Sequence, residues 1–203
     1  MRFLRVVSTL ALAAGVAAPA LAGLETHKID PNHSQVAFKV RHLVSKVPGR
    51  FEKFSGTITV DPADLKTAKV TAVIETASIS TNQENRDNHL RSPDFLDAAN
   101  FPEMKFESVR FIPEGDKGGR LLGNLTIRGV TKAVELKVEV LGFGPDPGGG
   151  RHGGFSASTT INRKDFGMVW NKALDGGGVV LGDDVEIQID VETAQEKPPA
   201  AKG

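Results

Sequence analysis

The 203-residue sequence contains no cysteine. Disulfides, iron–sulfur clusters and thiol nucleophiles are thereby excluded, and stability has to come from packing and strand pairing. An excess of charge is missing too. Lys and Arg number 25 and Asp and Glu 25, with no long basic block, which argues against nucleic acid as a partner because phosphate backbones demand a clustered cationic surface. Metal-ligand spacing is absent. The five histidines, His27, His33, His42, His89 and His152, include no H-x-H and no H-E-x-x-H, so hydrogen-bonding roles are expected for them and neither a metal nor a cofactor is. No G-x-S-x-G marks a nucleophile, and the glycine runs at 148–150 and 176–178 lack the Lys-Ser/Thr of a phosphate loop. Asp165-Phe166-Gly167 stands without the glycine-rich and catalytic loops that would make it a magnesium motif, and reads as a turn.

Long apolar runs are also lacking, apart from one near the N-terminus. Val6 to Val16 is apolar except for Ser8, Thr9 and Gly15, and is shorter than the ~20 residues a spanning helix needs. Arg2 and Arg5 precede it and Ala20-Leu21-Ala22 follows as a small-x-small cleavage site. Residues 1–22 therefore read as a cleaved signal peptide rather than a short membrane anchor, which predicts export to the periplasm with a mature chain from Gly23 and no stable membrane anchor. That chain carries 23 basic against 25 acidic residues, a formal charge of −2.

What is present is alternation. From Ser34 to His42, Val36, Phe38 and Val40 face one way and Lys39 and Arg41 the other, a half-buried antiparallel strand. Pro48-Gly49 reads as a turn, after which Phe54, Ile58 and Val60 share a face of a second strand ending at Asp61-Pro62. A longer strand, Lys69 to Ile79, has Val70, Ala72 and Ile74 on one face and Val73 and Ile79 on the other, so something should cover its outside. Further strands follow at Met104–Ile112, Leu121–Ile127, Val134–Val140, Phe155–Ile161 and Val185–Glu192. Gly129-Val130 closes a tight hairpin, Gly142–Gly154 is a glycine- and proline-rich loop, and Arg163–Asp183 is a long excursion with the only tryptophan, Trp170. The sum is eight antiparallel strands. Eight is the number at which an up-and-down barrel closes round a small ligand and removes its exposed edges; a two-sheet sandwich fits the same pattern. Residues 194–203 are polar and rich in Pro and Ala, an expected disordered tail after a domain spanning 23–193.

One helical insert separates the third strand from the fourth. Thr81-Asn82-Gln83-Glu84 has capping-box spacing, predicting a helix to about Arg91, and Ser92-Pro93 restarts a second short turn with Ser92 as N-cap. The stretch from Arg86 to Phe106 is expected to supply the missing cover. On the helix Arg86, His89 and Leu90 share a face, and Asp87 and Arg91 are spaced for an i, i+4 pair. The stretch reads as a solvated amphipathic helix packed through Leu90, Phe95 and Phe101, or as a mouth where cations and imidazole meet a polar head group.

Several motifs in one order then carry a resemblance: His33-Ser34-x-Val36-x-Phe38-x-Val40-x-His42; Gly49-Arg50-Phe51 and Phe54-x-Gly56; Arg86-Asp87-x-His89-Leu90-Arg91-Ser92-x-Asp94-Phe95; Gly123-x-Leu125-Thr126-Ile127-Arg128-Gly129-Val130-Thr131-Lys132; and Ile161-Asn162-Arg163-x-Asp165-Phe166-Gly167. From about Thr26 to Glu192 the chain resembles the YceI-like family of periplasmic polyisoprenoid-binding proteins. The resemblance implies an all-β, eight-stranded antiparallel lipocalin-like barrel with the short helical insert between strands three and four. It further implies a non-enzymatic protein that holds a polyprenyl phosphate, a quinone tail or another amphiphilic lipid for storage or transport. Two departures stand out. Leu43 to Pro48 replaces the usual glycine- and aromatic-containing link after the first strand, and the 168–183 excursion is particular to this chain.

For such a ligand the inward strand faces supply the lining: Phe38, Val40, Phe54, Ile58 and Ile74 from the first three strands, then Phe106, Leu125, Ile127, Val138 and Phe155, with Trp170 near an opening. Arg86, His89, Arg91 and Arg163 are the head-group candidates at the mouth. A buried methylene is worth ~0.8 kcal/mol, so each five-carbon isoprene unit offers about 3–4 kcal/mol before costs, and no catalytic group is needed for retention. No catalytic residue is expected. The expected partner is an isoprenoid or lipid and not nucleic acid; a homodimer is compatible with this. Two alternatives stay open: an enzyme acting on a quinone or lipid-like substrate with His89 as acid or base beside Asp87, and a structural barrel with a filled core and no ligand.

Overall fold

The computed structural model describes residues 23–175 and 177–196; the expected signal peptide and residues 197–203 of the expected tail lie outside them. Two kinked strands come first. β1 (Glu25–Ile29) and β2 (Gln35–His42) are parted by a short 3-10 turn at Pro31–His33, and β3 (Ser45–Phe51) is followed almost directly by β4 (Phe54–Asp61). β5 (Asp64–Glu75), the two-residue β6 (Ile79–Ser80) and the helix α1 (Glu84–Arg91) follow, then β7 (Glu103–Pro113), β8 (Gly118–Ile127), β9 (Val130–Pro145), β10 (Arg151–Asn162) and β11 (Leu181–Gln195).

Every pairing is antiparallel, in the order β1-β4-β5-β7-β8-β9-β10-β11, and β11 returns to β1 to close the ring. The fold is an eight-stranded antiparallel barrel, with α1 between the third and fourth strands. The kink lets one chain segment serve two neighbours at once. Lys28 pairs with Thr57 on β4, whereas Val36 pairs with Phe51 on β3. Pro31 opens the break and the Asp30 carboxylate accepts the Asn32 N–H. The break is fastened to β11 by the Asp30 N–H donating to the Glu192 carbonyl and the Glu192 N–H to the Ser34 hydroxyl.

Pro48-Gly49 is not a turn. Both residues lie inside β3, opposite Lys39 and Phe38, and the chain reverses instead at Leu43-Val44. β3 meets β6 only at Arg50 and Phe51, so Pro48 occupies edge strand, where its missing N–H leaves no ladder bond unmade. Gly49 answers a packing need: a Cβ there would fall 2.3 Å from Cζ of Phe38, whose ring lies over the glycine. Much of the 142–154 loop is paired too, from Gly142 with Gly154 to Pro145 with Arg151, leaving residues 146–150 to turn. The β8–β9 hairpin turns on Arg128-Gly129, at φ 51° and 71°, the positive values a two-residue hairpin loop requires. β11 extends through Gln195, with Ala194 paired to Lys28, past the expected start of the tail.

The insert differs from expectation in three respects. Asn82, at φ 59°, swings the chain so that Thr81 falls behind the first helical turn. Gln83 is the N-cap, accepting the Arg86 N–H, while the Thr81 N–H and hydroxyl both donate to the buried Asp87 carboxylate. Ser92 caps the helix C-terminus and donates its hydroxyl to the His89 carbonyl; no second helix forms, and residues 93–100 run as turns. The segment also covers the end of the barrel rather than the outside of β5. Leu90, Phe95 and Leu96 reach the interior there beside Ile79.

Three apolar clusters fill the barrel wall. Ile79, Leu96, Met104, Ile127, Ile161 and Phe166 gather under the insert, and Ile58, Val60, Val140 and Phe155 hold the opposite end. Phe111, Leu121 and Leu136 form the third, which shares Val134 with the first and Val70 with the second.

Candidate ligand-binding site

Alternation along each strand sends one face inward, and the inward faces of this barrel do not meet. They enclose a cavity of about 380 Å³, within the ~300–1,000 Å³ typical of small-molecule sites. Phe38, Val40, Phe54, Ile58 and Ile74 line it, as do Phe106, Leu125, Ile127, Val138 and Phe155. The far end is plugged. Phe143 packs edge-on to Phe155 and to His27, whose ring is fully buried and lies 3.0 Å from the Glu25 carboxylate and 3.3 Å from the Thr193 hydroxyl.

Residues missed in the sequence fall into two groups. Ile187 and Ile189 line the cavity, and the alternation of β11 already marks their face. Leu90, Leu96 and Met168 line it from the insert and the excursion, where no strand period exists to announce an inward side chain. Polar lining is sparse: His42, Ser55, Thr81, Arg86, Thr159 and Arg163. Four of these six belong to one end, Thr81 and Arg86 beside the insert, and His42 and Arg163 beside Leu181 and Gly182 at the root of the excursion.

The four head-group candidates have separate fates. Arg86 lines the cavity and is otherwise exposed; its Nε donates to the Thr81 hydroxyl at 2.7 Å and its Nη2 to the Thr81 carbonyl at 2.9 Å. A guanidinium has five N–H donors, so three remain at the rim for an acceptor. Arg163 also reaches the cavity but is 2% exposed, and four of its five N–H donors are committed. Nε donates to the Gly182 carbonyl, Nη1 to the Met168 and Trp170 carbonyls, and Nη2 to Asp183 at 3.0 Å. Burial pulls its pKa below the ordinary arginine value against the opposing charge of Asp183, whose own carboxyl is held low chiefly by its hydrogen bond from Lys164. Arg163 is thus the staple of the excursion and not a free cation.

His89 stands outside the cavity wall. Its Nε2 lies 2.9 Å from the Asp94 carboxylate, and its ring meets Phe95 at 5.0 Å and Trp170 at 4.9 Å, both edge-on. Trp170 likewise does not line the cavity; it packs 5.2 Å from Phe95, which does, and so clasps the excursion to the insert. The pairing of His89 with Asp87 that an enzyme would use is not formed, because Asp87 is turned inward to Thr81.

Arg91 is also off the cavity. Its Nε donates to the Ala77 carbonyl and its Nη2 to the Ile79 carbonyl, tying α1 to the 3-10 turn at Thr76–Ser78 and to β6. Arg91→Ala is therefore expected to lower stability by about 1–3 kcal/mol, since two backbone acceptors lose their donors, while isoprenoid affinity stays unchanged. Urea unfolding and a titration with a fluorescent isoprenoid measure the two effects separately.

The YceI-like domain profile matches residues 27–193, from β1 to β11. The chain belongs to the YceI-like domain family. Among its relatives, the YceI protein of Salmonella arizonae is 41% identical over 174 residues, which cover 84% of this chain and 87% of that one. The crystal structure of Burkholderia cenocepacia BcnA superimposes on this YceI-like barrel with a TM-score of 0.72 at 24% identity, over 81% of this chain and 98% of BcnA. A polyisoprenoid binding domain from Saccharophagus degradans, implicated in plant cell wall breakdown, shares the fold at a TM-score of 0.61 and 14% identity, over 85% of this chain and 99% of that domain.

Proposed function

We propose that this YceI-like protein is an exported carrier that holds a long isoprenoid or similar amphiphilic lipid, tail in the barrel and head group at the end closed by α1 and the excursion. One observation carries the reading: the cavity is walled by aliphatic and aromatic side chains, and its polar groups gather at that end. An apolar tail gains affinity from burial alone, about 3–4 kcal/mol per isoprene unit before costs. Arg86, with three donors free at the rim, suits a phosphate or quinone oxygen. The N-terminal sequence supports export to the periplasm, and the fold is one that a domain named for polyisoprenoid binding also has. His89 stands outside the wall, paired with Asp94 and not with the Asp87 that the sequence offered for catalysis, which is bonded to Thr81 instead.

Organic extraction of natively purified protein followed by mass spectrometry tests this. A stoichiometric isoprenoid or quinone-like lipid is expected. Repeated recovery of lipid-free protein that also fails to bind an added isoprenoid overturns the reading.

A further inference from the structure

Four large aliphatic side chains stand exposed together where the excursion meets the first hairpin. Val44 is as exposed as in an extended chain, at 103%, and Leu43, Val179 and Leu174 are exposed at 41%, 42% and 39%. They occupy two hairpin tips. Leu43 and Val44 make the turn between β2 and β3, and Leu174 and Val179 lie on a short hairpin within the excursion, fastened by the Ala173–Val179 bridge and by the Val180 N–H donating to the Lys172 carbonyl. The Leu43 N–H donates to the Val180 carbonyl at 2.8 Å, joining one tip to the other. Directly behind this bond Leu181 pairs with His42, and both line the cavity. The exposed tips are thus the outward continuation of the cavity wall.

The β2–β3 turn itself is unfavourable in water. Leu43 has φ 52°, a region where a bulky residue is uncommon and where hairpin turns ordinarily place Gly, Asn or Asp. The sequence instead spends both positions on aliphatic side chains, and Arg41 Nη1 donates to the Leu43 carbonyl to hold the turn.

We propose that the two tips dock the excursion end of the barrel onto a lipid bilayer, so that a ligand passes between membrane and barrel without crossing water. The inference rests on the carrier reading for its purpose. The shape of the patch favours a bilayer over a second copy of the chain: two convex tips bearing four side chains fall well short of the ~800 Å² per partner that a stable protein interface buries, whereas a bilayer interface takes up apolar projections without a matching surface. Charge points the same way. Arg41 and Lys172 flank the tips with no carboxylate partner among the described residues, and Lys46 stands next to the turn in an exposed pair with Glu186. Cations around an apolar tip lie at the depth of lipid phosphates. Asp175 is the acid on the second tip.

The test is flotation of the mature protein with vesicles of equimolar phosphatidylethanolamine and phosphatidylglycerol, alongside a solution titration with a fluorescent isoprenoid. The wild-type chain is expected to float. The Leu43→Asp/Val44→Asp variant and, on the other tip, Leu174→Asp are each expected to partition at least about tenfold less, with the solution affinity for the probe unchanged. A wild-type chain that stays at the bottom of the gradient, or variants that float like it, overturns the proposal. So does self-association that the same variants abolish, because the tips would then be a contact between copies. If flotation depends on the tips but no form binds the isoprenoid, docking stands and the carrier reading falls.

Discussion

Arg163→Ala is expected to lower the unfolding free energy by about 3–5 kcal/mol, the range for removing one partner of a buried charged network. The wild-type guanidinium is almost wholly buried and serves three backbone carbonyls, of Met168, Trp170 and Gly182, together with Asp183. Truncation leaves those carbonyls without their donor, the Met168 bond buried and the other two partly so, and an unmade buried bond costs more than a made one contributes. Asp183 is the lesser loss, since it is partly exposed and keeps Lys164 at 2.8 Å. The damage should be local first. Hydrogen exchange is expected to rise across residues 167–183 before the rest of the barrel, and Arg163→Lys should recover only a part, because one ammonium cannot span the positions that Nε, Nη1 and Nη2 reach. Chemical denaturation read beside exchange measures both; a variant as stable as wild type, with an unchanged excursion, would return Arg163 to the head-group candidates.

In the sequence Arg163 reads as a ligand contact. Its position next to an inward-facing strand end is legible, and the structure does put it on the cavity wall. What a linear sequence does not show is where the following twenty residues fold back, and those residues supply the carbonyls that consume its donors. The same holds for Arg91, whose partners Ala77 and Ile79 sit more than ten residues upstream. Strand interiors were easier. Period-two alternation is a local property enforced by the pleat, so the inward residues from Phe38 to Phe155 were readable one strand at a time. Turns were not, where a residue had two uses. Pro48-Gly49 carries turn chemistry but lies in edge strand under the Phe38 ring, while Leu43-Val44 carries none and makes the turn. The capping box failed for a related reason: one left-handed residue, Asn82, moved Thr81 from the cap to the flank of the helix.

Phe38 shows how the cavity changes the energetics of its own lining. Its ring packs 5.7 Å from Phe51 and over Gly49, yet it is only partly buried and faces open space on its inner side. Deleting such a ring removes fewer contacts than deleting one packed on all sides, so the ~3–5 kcal/mol typical of a core Phe→Ala change is an upper bound here. An interior kept partly empty gives up stability that a filled core would have gained, and a bound apolar chain would restore the missing contacts.

Ala157 lies midway along β10, paired with Val138 on β9 and Ile189 on β11, and its methyl group lines the cavity between Phe155 and Thr159. Ala157→Trp puts an indole where a tail would lie. Because the new ring enters existing space, the penalty for overpacking should stay within about 1–3 kcal/mol. Displacing even one isoprene unit forfeits about 3–4 kcal/mol of burial, which predicts at least a hundredfold weaker binding of an added isoprenoid, since every 1.4 kcal/mol is tenfold. Titration with a fluorescent isoprenoid and urea unfolding together separate this from general damage. Lost affinity in a variant that still unfolds cooperatively puts the tail inside the barrel; undiminished affinity would place the ligand elsewhere, since an apolar chain and an indole cannot share that part of the cavity.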